Sequence, residues 1–389
     1  MIKLPIFSTS GTNMIKIPFN RPVFAGNELK YIKEAVLSGK ISGDGLFSKK
    51  CTEFIEKKFN TLKTFLVPSG TAALDMTALL TEIKPGDEVI LPSFTFTSTA
   101  NAFVLFGAKP KFVDIRSDTF NIDESKIAEN INRRTKAICC VHYAGIACEM
   151  NRLKEITKKH GLLLIEDAAQ GINAKYKDKY LGTIGDLGIY SFHETKNANC
   201  GEGGALLINN SKFIKRAEII REKGTNRSQF FRGEVDKYTW HDIGSSYLLS
   251  EILAAYLYAQ LEHIGSITEK RKKIYNYYKE SFKGLEKHGV IKLPAVPEYC
   301  QPNFHIFYLL FNSQKERDRI MDGLKKAGIL AVFHYLPLHT SPMGKKFGYK
   351  KGDLPVTENI AGRLLRLPVY NDISIKELDY IQKTVRRLI

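Results

Sequence analysis

The chain has 389 residues, 43% of them hydrophobic and 25% charged, with a net charge of +17. That balance is ordinary for a globular protein, and the length fits two or three domains at roughly 100–200 residues each. No apolar run comes near the ~18–20 residues of a membrane span, which excludes an integral helical membrane protein.

The first segment, MIKLPIFSTSGTNMIKIPFN, lacks the apolar core of a signal peptide. It holds a near-duplication, MIKLP at 1–5 and MIKIP at 14–18, from which residues 1–13 read as an extension ahead of the ordered protein. Six cysteines at 51, 139, 140, 148, 200 and 300 show no CxxC spacing. They read as small apolar core residues of a reduced, cytoplasmic protein. The positive charge is scattered. Its densest run, Lys270 to Lys273, lies in a helical pattern beside Tyr275, Tyr277 and Tyr278 and reads as a solvated helix face. No nucleic-acid motif accompanies it, so a nucleic-acid partner is not expected.

From residue 72 to about 265, short apolar runs alternate with helical patterns. Strands are predicted at 88–92, 110–115, 137–143, 162–168, 187–192 and 204–209, and helices at 72–80, 125–130, 150–160 and 212–223. Continuous apolar strands between helices argue a mostly parallel sheet covered on both faces, an α/β fold whose ligand crevice lies at the strands' C-terminal ends. A long helix from Ser250 to about Leu285 leaves this unit. Beyond it the pattern gives a strand at 303–312, a helix at 316–328, a strand at 329–339 and a terminal helix at 375–389. The expected organisation is a large α/β domain over 14–265 and a smaller α+β domain over 266–389.

Four local features carry possible chemistry. Asp167 closes the apolar run LLLIED, where a carboxylate needs a partner: a salt bridge, a helix cap or a ligand. Lys196, in SFHETKN, follows another apolar run, where desolvation would lower its pKa and make it a nucleophile or base. Ser69-Gly70-Thr71 precedes a helix, and reads either as an N-cap or as an anion site. Phe94 and Phe96, in LPSFTFTSTANA, are core residues or one is a face for a planar ring. Read together, the four describe a site for pyridoxal 5′-phosphate: an amine for its aldehyde, a carboxylate for its ring nitrogen, an aromatic face and an anion cradle. No metal is expected, since His193-Glu194 lacks HExxH spacing and His334 and His339 are five apart.

The motifs GDEVILPSFTFTSTANAFVLFGAKPKFVDI, HYAGIACEM, IEDAAQG, LGTIGDLGIYSFHETKN, EGGAL, RAEIIREKGTNRSQFFRGEVDKYTWHDIGSSYLLSE and FHYLPLH occur in that order. On these the sequence resembles the DegT/StrS group of sugar aminotransferases, from about Lys16 to the C-terminus. The resemblance implies the aspartate aminotransferase (type I pyridoxal phosphate) fold and a homodimer with active sites at the subunit interface. It also implies an amino group moved from L-glutamate to a dTDP-linked 4-keto-6-deoxyhexose for a surface polysaccharide. By position it gives Lys196 as the cofactor lysine, Asp167 at the pyridine nitrogen and Gln170 near the ring oxygen. Phe96 would stack on the ring, and Gly70, Thr71 and Ser191 would bind the phosphate. His193 and His334 would lie on the nucleotide-sugar side. One departure stands out. Where many members carry GYxY[NR], whose last residue reaches the neighbouring subunit's phosphate, this chain has Gly244-Ser245-Ser246-Tyr247-Leu248, which leaves Ser246 as the candidate. Relatives that deoxygenate sugars have histidine at the lysine position, so Lys196 points to amino transfer. The same chemistry on a 3-keto or UDP-linked sugar, and a non-enzymatic regulatory protein on the same fold, are the alternatives.

Overall fold

A computed structural model describes residues 16–389; the expected extension at 1–13 lies outside the described residues. A seven-stranded sheet organises the larger part. Its strands are β1 (Lys63–Val67), β2 (Glu88–Pro92), β3 (Lys109–Val113), β4 (Thr135–Val141), β5 (Leu163–Asp167), β6 (Leu187–Ser191) and β7 (Gly204–Ile208), in the order β1-β7-β6-β5-β4-β2-β3. The pairs β3–β2–β4–β5–β6 are parallel. Strand β7 runs antiparallel to both β6 and β1.

The strands are apolar on both sides because both sides are covered. Adjacent residues divide between the two faces: Cys140, Leu164 and Leu207 join one buried cluster, and Cys139, Ile165 and Leu206 the other. The first face is covered by α1 (Glu28–Leu37), α2 (Leu46–Phe59) and α5 (Met150–His160). The second is covered by α3 (Gly70–Leu80), α4 (Thr97–Val104) and α6 (Ile214–Arg221). All six cysteines are buried free thiols.

Beyond α6 come the short α7 (Arg227–Phe231), then α8 (Glu251–Glu262) and α9 (Ile264–Lys287). The predicted single helix from Ser250 thus breaks at His263. A third buried cluster joins α9, α10 (Gln314–Lys326), the C-terminal helix Ile375–Leu388 and an antiparallel sheet of Ile291–Lys292, Phe307–Phe311 and Leu364–Leu367. Ile17 belongs to this cluster, and Lys16 and Ile17 both donate to the Gly328 carbonyl. The first described residues therefore pack with the C-terminal elements, although the sequence reading placed them in the large unit. Among the described residues no helix is long and apolar enough to cross a membrane.

Two expected elements form differently. Residues 125–130 make two short 3-10 turns, Glu124–Lys126 and Ala128–Asn130, the first capped by the Asp123 side chain. Residues 329–339 make no strand. They pair only through the bridges Ile17–Ile329 and Val332–Arg366, because Phe333 to Tyr335 turn into a cavity and Pro337 offers no N–H. The apolar character there serves a pocket wall.

Candidate active site

The topology collects the ends of three strands at one place. Val67 of β1 and Ser191 of β6 are both paired with Gly204, the first residue of β7, and Asp167 ends β5 beside Ile189 of β6. The segments leaving these strands line a cavity of about 850 Å3. Of the residues singled out by sequence, Gly70, Thr71, Phe96, Asp167, Gln170, Ser191, His193, Lys196 and His334 all line it. Ser246 does not; it is exposed on a loop paired with Glu222.

Lys196 sits in a tight turn in which its own N–H donates to the His193 carbonyl and the Glu194 N–H to the Gly201 carbonyl. Gly201, at φ +83°, supplies the left-handed residue that returns the chain. Burial pushes the amine's pKa down from 10.5 to about 8; Asp167 opposes the shift and Arg366 adds to it. Asp167 is buried and doubly held: its Oδ2 accepts from Thr99 Oγ1 at 2.7 Å and its Oδ1 from the Ala169 N–H at 3.1 Å. Thr99 is in turn 2.8 Å from Thr95 Oγ1. The carboxylate is thus a fixed negative group on the pocket wall.

Helix α3 opens at the same cavity. Ser69 caps it by accepting from the Ala72 N–H, so its hydroxyl is a structural cap, while the N–H groups of Gly70 and Thr71 belong to the first turn and have no intrahelical acceptor. Thr71 and Ser98 bring their hydroxyls within 2.7 Å of each other on this rim. Gly70 lies against Ser191; a Cβ on it would stand 2.9 Å from the Ser191 Cβ. Free N–H groups at a helix start with hydroxyls beside them are the chemistry that an anion site needs.

The two phenylalanines part company. Phe94 is fully buried against Phe120 and Tyr143, whereas Phe96 is 58% exposed and faces the cavity. Gln170 accepts from the Ala144 N–H and donates to the Tyr335 hydroxyl. His193 is anchored to Thr195 Oγ1 at 2.9 Å and lies at the rim. His334 is buried, 3.0 Å from the Tyr143 hydroxyl, with its pKa held well below the usual value by burial and by the Arg366 charge.

The structure adds residues that sequence reasoning missed. His305, bonded to Asn197, is also kept neutral by burial and by the Lys196 charge. Arg271 belongs to the basic run read as a solvated face. Lys270, Lys272 and Lys273 are indeed exposed, but Arg271 is buried, lines the cavity and donates to the carbonyls of Phe304 and His305. Its neighbours Ile267 and Ile274, on the same side of the helix, are buried too, a helical-spacing signal that marked the arginine as inward-facing. Thr99 and Arg366 carried no distinguishing local motif.

These residues fit pyridoxal phosphate. A depressed amine, a doubly anchored carboxylate, an open aromatic face and a helix start with free N–H groups share one cavity. The model of the DegT/DnrJ/EryC1/StrS aminotransferase family matches residues 23–386. The chain belongs to this family. Among its relatives, a pleiotropic regulatory protein of Geobacillus stearothermophilus is 34% identical, covering 82% of each chain. The GDP-perosamine synthase of Escherichia coli O157:H7 is 31% identical, covering 95% of this chain and 97% of the other. Among solved structures, Spr1654 of Streptococcus pneumoniae superimposes with a TM-score of 0.90 in its PMP form, at 27% identity, covering 96% of this chain and 99% of that one. In its PLP form the TM-score is 0.88 at 28% identity, covering 96% and 98%. The fold is that of the pyridoxal phosphate aminotransferases, the cofactor is pyridoxal phosphate, and the enzyme class is sugar aminotransferase.

Proposed function

We propose that this protein moves the amino group of L-glutamate to C4 of dTDP-4-keto-6-deoxy-D-glucose, giving dTDP-4-amino-4,6-dideoxy-D-galactose for a surface polysaccharide. The observation that carries the amino-transfer part is the placement of Lys196 and Asp167 in one cavity with the open start of α3. The choice of sugar rests on the ordered run of motifs from GDEVILPSFTF to FHYLPLH.

When bound, pyridoxal phosphate supplies an aldehyde carbon that takes the amino group and a ring that holds the electron pair released as the substrate's C–H proton leaves. The residues of the chain do the rest. The first-turn N–H groups of Gly70 and Thr71, with the Thr71, Ser98 and Ser191 hydroxyls, would hold the phosphate. Asp167, fixed by Thr99 and the Ala169 N–H, would pair with a protonated ring nitrogen. Phe96 would cover one ring face, and Gln170 would lie at the ring oxygen. Lys196, at a pKa of about 8, exists partly as free amine near neutrality, so it can take a proton from the substrate carbon and return it. Neutral His334 and the rim residue His193 would meet the nucleotide sugar. Ser246 would reach the phosphate held by a partner subunit in a homodimer.

The regulatory name of one relative favours a second reading, a ligand-responsive protein on the same fold. The intact set of Lys196, Asp167 and the α3 cradle stands against it. The test is spectroscopic. The cofactor's absorbance above ~400 nm should fall and a ~330 nm band rise when L-glutamate is added, wavelengths set by the cofactor itself. Side-by-side turnover of dTDP-4-keto, 3-keto and UDP-linked sugars then identifies the acceptor. Bound cofactor with no response to any amino acid would favour the regulatory reading.

A further inference from the structure

His305 lines the cavity, and the reading above gives it no role. It lies just ahead of the strand Phe307–Phe311 and is held at three points. Its N–H donates to Asn303 Oδ1 at 3.2 Å, its carbonyl accepts from Arg271 Nη2 at 2.7 Å, and its Nδ1 is 2.8 Å from Asn197 Oδ1. The ring's tautomer follows from these neighbours. Asn197, buried and next to Lys196 in sequence, bonds through its amide group to the Asn303 carbonyl at 2.9 Å. A carbonyl only accepts, so the NH2 of Asn197 faces Asn303 and its oxygen faces the ring. Asn303 is itself fixed, its Nδ2 donating to the carbonyls of Gln170 and Ile172 at 2.7 and 2.8 Å. Nδ1 of His305 therefore carries the proton, and Nε2 keeps a lone pair. Among the described residues Nε2 has no hydrogen-bond partner. Burial and the charges of Lys196, Arg271 and Arg366 hold the ring's pKa well below the usual value, so it stays neutral.

We propose that His305 Nε2 accepts a hydrogen bond from a hydroxyl of the acceptor sugar, the one on the carbon beside the reacting carbonyl. The inference rests on the amino-transfer reading and names a contact within it. A neutral ring whose one N–H is already engaged offers the pocket only an acceptor. The two substrates differ in what they can give it. An amino acid brings carboxylates, which only accept, and an amino group that goes to the cofactor. A keto hexose brings hydroxyls. Position selects among them. His305 is tied to the residue that follows Lys196, and both His305 and Lys196 line one cavity, so the ring meets the part of the sugar near the reacting carbon. The diphosphate of a 4-keto hexose hangs from carbon 1, across the sugar ring. A second base beside Lys196 is the competing role, and the depressed pKa stands against it. A ring that resists a proton still accepts a hydrogen bond but holds a transferred proton poorly.

The test uses the enzyme loaded with the amino form of the cofactor and two acceptors: dTDP-4-keto-6-deoxyglucose, and the same compound with hydrogen in place of the hydroxyl on carbon 3. Wild type should favour the hydroxyl sugar by about three- to ten-fold in kcat/KM, the worth of one hydrogen bond. His305→Asn keeps an amide N–H where Nδ1 meets Asn197 and removes the atom at Nε2. The two sugars should then react alike, at the rate wild type shows with the 3-deoxy sugar. His305→Gln, whose Oε1 reaches the Nε2 position, should recover part of the preference. The half-reaction with L-glutamate should keep its rate in both variants. A preference that persists in His305→Asn overturns the inference, and so does a matching loss with L-glutamate, which would mark a general support of Lys196 through Asn197. Wild type without a preference overturns it with no variant needed. The amino-transfer reading is judged separately, by whether wild-type absorbance responds to L-glutamate.

Discussion

Gly204 crosses so close to Ser69 that a Cβ on it would lie 2.4 Å from both the carbon and the oxygen of the Ser69 carbonyl. It is paired with Val67 and with Ser191, so it joins β1, β6 and β7 beside the start of α3, the proposed phosphate site. Gly204→Ala must push the Ser69-Gly70 turn away, and overpacking of this kind costs about 1–3 kcal/mol. Because the displaced element is the proposed phosphate cradle, affinity for pyridoxal phosphate should fall by roughly ten-fold or more. A fluorescence titration of the cofactor-free protein measures it. Wild-type affinity would show that the α3 start is not the phosphate site.

Lys196 makes the cofactor-free protein's stability depend on pH. Its folded pKa is depressed to about 8 from 10.5, so between those values the unfolded chain binds more protons than the folded one, and stability rises with pH across that window. Below pH 8 the penalty is fully present; above 10.5 it is gone. At about 1.36 kcal/mol per pH unit it amounts to at most about 3 kcal/mol. Lys196→Met removes this term, so the stability gap between variant and wild type should narrow from pH 7.5 to pH 10. Urea titrations at several pH values read it directly, and a gap independent of pH would mean that the lysine is solvated.

Much of the sheet was legible because most of its strands are covered on both faces and read as apolar runs, the edge strand Lys109–Val113 with its exposed Lys109 being the exception. The missed one, Lys63–Val67, has an apolar run of only Phe65 to Val67 and follows directly on α2. Helices α1 and α2 went unread, and α4 was hidden because its Thr-Ser-Thr start is a poor helix former. In the cavity, Lys196, Asp167 and the α3 start could be found because each follows a strand in its own local motif. Arg366 and His305 could not, since only the folding of distant segments brings them to Lys196.

Thr99 and Asp167 are 68 residues apart in sequence and share a 2.7 Å hydrogen bond. Asp167→Asn removes the charge that would hold a protonated ring nitrogen, and losing one partner of a buried charge pair costs about 3–5 kcal/mol. The rate with L-glutamate should drop by roughly a hundred- to several-thousand-fold, while Thr99→Val, which only loosens the carboxylate, should cost about ten-fold. Stopped-flow absorbance on both variants makes the comparison. An Asp167→Asn enzyme at near-wild-type rate would remove the aspartate from the chemistry.

The start of α2 is held from far away in the chain. Its N-cap is Gly45, which has no side chain to close the first turn, and the buried carboxylate of Glu251 at the start of α8 takes that place. One oxygen accepts from the N–H groups of Gly45 and Ser48, both at 2.9 Å, and from the Ser48 hydroxyl. The other accepts from the Phe47 N–H at 2.8 Å. Glu251→Gln replaces one acceptor oxygen with an NH2 group that must face an N–H donor, so a buried donor goes unmet. The expected loss is about 2–4 kcal/mol. Glu251 does not line the cavity, so turnover by the folded fraction at 25 °C should stay near wild type while the urea midpoint falls. A midpoint unchanged in Glu251→Gln would mean that α2 is held by its packing on the sheet and not by this carboxylate.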